Sequence, residues 1–273
     1  MLNFPRILAG LVLSTFIGGV AYQRKSLSAS GWLGAIITGT LIFGFGGWTW
    51  GLTLITFFIT SSALSHFRQA QKQRLAGEKF EKGGRRDLWQ ALANGGAGAL
   101  LALLYGISNE PLALVFCFGG VMATVTADTW ATELGVLSPT PPRMITSGRR
   151  VEPGTSGGVT LYGLAASLAG AALIGVTMVL LFRIERGVWV PLLLPAAALS
   201  GLAGSITDSL IGATIQVMYR STAGNETERR TDKAGQMLPQ FRGWRWMNND
   251  MVNLISSLVG GLIAIGIGAL AGR

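Results

Sequence analysis

Apolar residues in this chain come in eight runs of about twenty, the length an α-helix needs to cross roughly 30 Å of hydrocarbon. The runs lie at roughly 4–22, 31–47, 49–67, 88–107, 111–135, 158–182, 188–217 and 249–271. None carries a recurrent polar face, which argues against a large soluble helical core. Composition points the same way. Only 13% of the residues are charged, against roughly 25% in soluble domains, so the chain lacks the polar surface to cover itself in water. The expected fold is all-α: one polytopic transmembrane bundle over residues 1–273. Its 39 glycines suit helices that must approach closely in lipid. The first run resembles a signal peptide, but no cleavage site follows Tyr22 and Gln23-Arg24-Lys25 leads towards another span.

Basic residues set the orientation. The loops after spans one, three, five and seven hold 18 of the 22 lysines and arginines, and the opposite side holds Arg6, Arg183, Arg186 and Arg273. The positive-inside rule then puts the odd-numbered loops in the cytoplasm and both termini outside, in a protein integral to the cell (inner) membrane. The formal charge of +9 belongs with loops facing anionic lipid and calls for no nucleic acid. A single cysteine (Cys117) and a single histidine (His66) exclude a disulfide framework and a cysteine-rich zinc site. His66 falls where an apolar run meets a basic loop, as an interfacial residue does.

A charge placed in hydrocarbon costs at least ~2.5–3.5 kcal/mol, so an acid inside a span marks a candidate site. Asp128 and Glu133 lie near the end of span five, Asp208 lies in the last third of span seven, and Asp250 opens span eight beside Asn249 and Asn253. With this orientation all four acids fall in the cytoplasmic half, as do Gln90 and Asn94. Polar glue between helices would have no reason to collect on one side, so a polar, acidic cleft open to the cytoplasm is expected. The echo between Thr126-Ala127-Asp128-Thr129 and Ile206-Thr207-Asp208-Ser209 places a carboxylate beside a hydroxyl in two helices.

The loop at 146–158 reads TSGRRVEPGTSGG and runs into span six. Its glycines permit turns that aim backbone N–H groups inward, and a helix N-terminus follows. Gly154, Thr155, Ser156, Gly157 and Gly158, with the forked donors of Arg149 and Arg150, therefore form a candidate phosphate cradle. Acids facing such a cradle suit Mg²⁺, with Asp128 and Asp208 as ligands and Glu133 third. Arg85 and Arg86 precede the polar turn at Gln90 and Asn94, within reach of a second phosphate. No P-loop or protein-kinase catalytic loop occurs.

Five ordered blocks resemble an integral membrane family that includes transmembrane protein 19 and the plant and cyanobacterial phytyl-phosphate kinases. They are residues 83–96 (GGRRDLWQALANGG), 127–135 (ADTWATELG), 146–158, 204–216 (GSITDSLIGATIQ) and 246–257 (WMNNDMVNLISS). The resemblance implies phosphate transfer from a nucleoside triphosphate, CTP above all, to an isoprenyl or phytyl monophosphate, giving the diphosphate. The triphosphate would then sit on Arg149, Arg150 and the 154–158 loop. The lipid phosphate would lie near Arg85, Arg86 and Asn94, with Thr132, Asn249, Asp250 and Asn253 completing the binding set. A phosphate acceptor is already ionised, so no general base is required, which fits a chain so poor in histidine. The alternatives are a prenol kinase, in which Asp128 or Asp250 would act as base, and a transporter or scramblase built on the same acids.

Overall fold

Backbone N–H and C=O groups find no water in hydrocarbon, so each spanning segment must bond to itself. The long apolar runs accordingly fold as α-helices. The computed structural model describes residues 3–77, 79, 85–109, 111–221, 224–232 and 234–271. Gly83 and Gly84 of the first family block lie outside them. The helices are α1 (Phe4–Gln23), α2 (Ala29–Leu41), α3 (Trp48–His66), α4 (Gln69–Ala76), α5 (Leu88–Ile107), α6 (Leu112–Gly135), α7 (Leu161–Arg186), α8 (Leu193–Thr214) and α9 (Asn249–Ala271). Six are long and apolar enough to span alone, α2 is so together with the turn that continues it to Gly46, and α3 passes when joined to α4, which turns away from it by 72° at Arg68.

Several span limits move, for local reasons. Span two ends in a π-helical turn, Ile42–Gly46, whose released carbonyls at Gly44 and Phe45 accept hydrogen bonds from Arg6 Nε (2.9 Å) and Nη2 (3.2 Å). Span six begins only at Leu161, because Gly158–Val159 form strand β2 against β1 (Arg143–Met144), and it runs on to Arg186. Span seven keeps only Leu193–Thr214. Beyond it Gln216 and Val217 leave the helix, and Met218–Arg220 (β3) pairs with β4 (Glu226–Thr227) and β5 (Gln240–Arg242). Apolarity cannot separate a helix end from a buried strand, and Val217, Met218 and Tyr219 are buried. The bundle is thus helical with a few short strands in two connections.

Helix α6 is the axis. Every residue from Val115 to Ala127 is buried, and α3, α5, α7, α8 and α9 pack around it. Small residues allow this closeness. Thr124 sits between Gly204 and Gly260, and a Cβ on either glycine would overlap its hydroxyl. The N-terminal helices α1, α2 and α5 pack more loosely on one side.

The two ends of the bundle differ. At one end charged groups serve as caps: Glu185 of α7 accepts from the N–H groups of Trp48 (2.9 Å) and Thr49 (2.7 Å) at the start of α3. At the other end the basic connections knit into a cap. Arg86 donates its N–H to Ser26 and accepts from the Ser28 N–H, both at 3.0 Å. Lys79 pairs with Glu152 (2.7 Å) and donates to Thr155 (3.0 Å), while its carbonyl accepts from the Glu228 N–H (2.9 Å). Buried Gln216 joins the remaining loops, accepting from Ser156 (2.6 Å) and donating to Glu228 (3.0 Å).

Candidate functional site

Beneath this cap lies a polar cavity of about 380 Å³. Its deep wall is made by the last turns of α6 and α8 and the first turns of α5 and α9. On α6 the unbroken burial stops at Asp128, where the helix first meets the cavity. Asp128 stands seven residues before the end of α6 and Asp208 six before the end of α8, roughly 10 Å in at ~1.5 Å per residue. Asn94, six residues into α5, reaches a similar depth. The Asp128 and Asp208 carboxyls are within hydrogen-bonding reach of each other, and Ser256 of α9 donates to Asp208 Oδ2 (3.2 Å).

Helices α5, α7 and α9 all begin at this end, so their positive dipole ends face the cavity. Side-chain caps fix where they start. Asp87 and Gln90 form a capping box on α5, Thr160 accepts from the Gly163 N–H (2.9 Å) on α7, and Asn248 accepts from the Met251 N–H (3.0 Å) on α9.

Most residues expected at the site line this one chamber: Asp128, Thr132, Glu133, Asp208, Arg86, Asn94, Asn249, Asp250, Asn253 and the 154–158 loop. Gly157 can lie there only as glycine. Its φ is +81°, and a Cβ would come within 2.5 Å of Ala213. Three arginines do not line the chamber. The 146–158 stretch is two structures, not one cradle. Met144 N–H bonds the Arg149 carbonyl (2.8 Å), Arg143 bridges Arg150, and the turn at Gly148 (φ +67°) leaves residues 146–150 exposed. Arg149 and Arg150 therefore point away from the acids, and Arg85 is exposed too. Cations that do line the chamber are Arg86, Lys72 and Arg229. The last two were not singled out from sequence, because their approach depends on the bend before α4 and on β-pairing far along the chain.

Glu133 also departs from expectation as a third metal ligand. It forms an ion pair with Lys72 and accepts from Ser65 (2.6 Å), while Lys72 also caps the final carbonyls of α3 at Leu64 (2.7 Å) and Ser65 (3.0 Å). Among the described residues no three acids, histidines or cysteines converge on one point. The acids within reach of each other are the pair Asp128 and Asp208, and Glu228 and Asp250 line the same chamber. Arg86 lines it too, with its guanidinium 5.6 Å from the Phe57 centroid and 5.8 Å from that of Phe58. Burial lowers its pKa, and the smaller pull of the Glu133 charge opposes this only in part. His66 is exposed at the end of α3.

Next to the polar chamber is a second, apolar cavity of about 90 Å³ between α1, α2, α3 and α5. The two share Arg86, Gln90 and Asn94. A helix bundle with paired intramembrane carboxylates in a chamber at its basic end is the class of protein that fold and site define. The chain belongs to the integral membrane protein family DUF92, whose profile matches residues 12–261. Protein PGR of Arabidopsis thaliana is 33% identical over 93% of each chain. An uncharacterized membrane protein of Methanocaldococcus jannaschii is 30% identical over 95% of this chain and 93% of its own. Protein VTE6, chloroplastic, of Arabidopsis thaliana is 27% identical over 93% of this chain and 68% of its own. No solved structure matches the chain.

Proposed function

We propose that this protein is a membrane phosphotransferase that carries phosphate from a nucleoside triphosphate, CTP in the first instance, to an isoprenyl or phytyl monophosphate. An acceptor phosphate oxygen attacks the terminal phosphorus, the bond to the nucleoside diphosphate breaks, and a prenyl diphosphate leaves. The observation that carries this reading is the shared lining at Arg86, Gln90 and Asn94, where a polar, acid-bearing chamber meets an apolar slot. A molecule with an anionic head and a hydrocarbon chain matches the chemistry of that junction. The family likeness to phytyl-phosphate kinases supports the same substrate class.

Each chain residue has a definable task. Arg86 binds the acceptor phosphate, and Asn94 and Gln90 orient it by hydrogen bonding. The 154–158 loop, just before α7, offers backbone N–H groups and the Thr155 hydroxyl to the donor phosphates. Arg229 adds charge on that side. Two carboxylates in contact, beside Asn253 and Ser256, are a donor set that suits Mg²⁺, which takes one or two carboxylates and keeps its other positions for water and phosphate. Bound there, Mg²⁺ would neutralise charge on the transferring phosphate oxygens. Phosphoryl transfer needs positioning and charge neutralisation above all, and the chamber supplies both without a general base. In this reading the basic end faces the cytoplasm, as the positive-inside rule suggests, and the membrane is the cell (inner) membrane.

The test uses the full chain in lipid nanodiscs with CTP, Mg²⁺ and geranylgeranyl monophosphate, scored for the diphosphate. Formation of the diphosphate that requires both Asp128 and Asp208 is expected. Full activity in Asp128→Asn and Asp208→Asn, or no diphosphate with any nucleotide tried, overturns the proposal.

A further inference from the structure

The apolar slot runs from Arg86 into the bundle, and Phe43 lies deepest in it along α2. Along α2 the lining runs from Ala35 through Thr38 and Gly39 to Phe43, a span of eight residues or roughly 12 Å. Along α3 it runs from Phe58 to Gly51. Both helices deliver their deepest lining residue to the same place, because a Cβ on Gly51 would overlap the Phe43 ring. Phe43 is fixed there on three sides. It is 4% exposed, its Cβ would lie 3.3 Å from one added at Gly10, and its ring packs edge-on against Trp48 at 4.8 Å between centroids. It sits in the π-helical turn, where the extra residue of the turn re-aims side chains relative to a regular helix.

The slot's walls suit hydrocarbon. Thr38 turns its hydroxyl to the Gly34 carbonyl (2.8 Å), which leaves its methyl group available to the lining. A cavity so lined does not favour water. At the mouth stands the Arg86 guanidinium, and a positive charge at the entrance to an apolar slot selects a chain attached to an anion.

We infer that this slot holds the hydrocarbon chain of a linear lipid phosphate, head at Arg86, and that Phe43 is the floor that sets which chain lengths fit. This rests on the phosphotransferase reading for the identity of the headgroup. A filled floor discriminates by steric exclusion: one methylene too many or too few in an apolar pocket changes kcat/KM by about 10–200-fold.

The experiment measures both occupancy and selectivity, with the full chain in nanodiscs. Geranyl, farnesyl and geranylgeranyl monophosphates are compared as substrates of the wild type, Phe43→Leu and Leu54→Trp. A farnesyl monophosphate with a diazirine at the chain terminus is photolysed on the same proteins, and the labelled peptides are read by mass spectrometry. Phe43→Leu should shift the kcat/KM ratio towards longer chains by about tenfold or more, and Leu54→Trp should shift it towards shorter ones. Label should fall on the peptides of Phe43 and Gly51. If Phe43→Leu does not fold, Leu54→Trp and the wild-type labelling decide alone. Turnover with unchanged chain-length ratios, or label confined to residues outside the slot, overturns the slot and leaves the phosphotransferase standing. Label at the floor without diphosphate formation supports the slot and removes the phosphotransferase.

Discussion

Helices α6–α9 and helices α1, α2, α3 and α5 both meet at small residues, but only the second set leaves an apolar slot beside its contacts. Around α6, 72% of the spanning window is buried, and glycines bring backbones into contact on either side of Thr124. In α1 the buried share is 17%, and Gly18, Gly39, Gly51 and Gly95 line an apolar slot while also meeting close neighbours such as Trp32, Ser14 and Phe43. Small side chains bring helices close in both halves, and beside the close contacts of α1, α2, α3 and α5 an apolar slot is left open. The α6–α9 platform can hold two carboxylates in contact, which looser packing would let separate. The slot can admit a chain.

The largest expected effect tests the platform. Asp208→Asn and Asp128→Asn should each lower turnover by about 100-fold or more, the scale on which a preorganised electrostatic group acts, with the helical circular dichroism unchanged. A loss confined to one of them would mean the carboxylates do not act as a pair. Next is the junction of the halves. Gly31 of α2 lies so close to the Arg86 carbonyl that any Cβ overlaps it. Gly31→Ala should displace Arg86 and raise the KM for lipid phosphate by tenfold or more, consistent with ~1.5–3 kcal/mol for a charged hydrogen bond. An unchanged KM would detach Arg86 from the acceptor.

Packing gives a smaller contrast. Gly260→Ala in α9 should destabilise by ~1–3 kcal/mol, because its methyl meets the Thr124 hydroxyl. Gly96→Ala in α5 meets only Leu92 Cβ at 4.0 Å, and should stabilise by ~0.4–1 kcal/mol. Thermal unfolding in detergent reads both. Equal shifts would erase the difference between the halves.

The smallest effect is in the cap. Lys79 holds the exposed Glu152 carboxyl below its ordinary value through a hydrogen bond and charge. A depressed folded-state pKa gives stability that is present above the unfolded value and lost as pH falls through the folded one. Acidification below about pH 4 should therefore loosen the loop around Thr155, seen as faster proteolysis there. Glu152→Gln should be loosened already at neutral pH, and any further change on acidification should be smaller than in the wild type.

Much of the fold was legible because hydrocarbon leaves a chain few choices. Twenty apolar residues in a row must be helix, and the asymmetry of lysine and arginine separates the two ends. The acids were legible for the same reason, since Asp128 and Asp208 are costly wherever a membrane places them. The cations were not. Arg149 and Arg150 sit beside glycines in the sequence yet are carried outward by a hairpin of only two residue pairs, too short to leave a period-2 pattern. Lys72 and Arg229 come to the chamber from connections more than 150 residues apart, the latter held by a hydrogen bond to the Gly77 carbonyl (2.8 Å). Glu133 looked like a metal ligand until Lys72 met it.

The sequence by itself determined which segments lie in lipid, which end carries positive charge, and how deep along its helix each acid falls. Those follow from hydropathy, charge and a fixed rise per residue. Only the tertiary structure decided that Asp128 meets Asp208, that Lys72 takes Glu133, and that Phe43 lies deep in a slot running from Arg86. Such pairings depend on how helices rotate and cross against one another, and small residues can settle that in many ways until the whole bundle is packed.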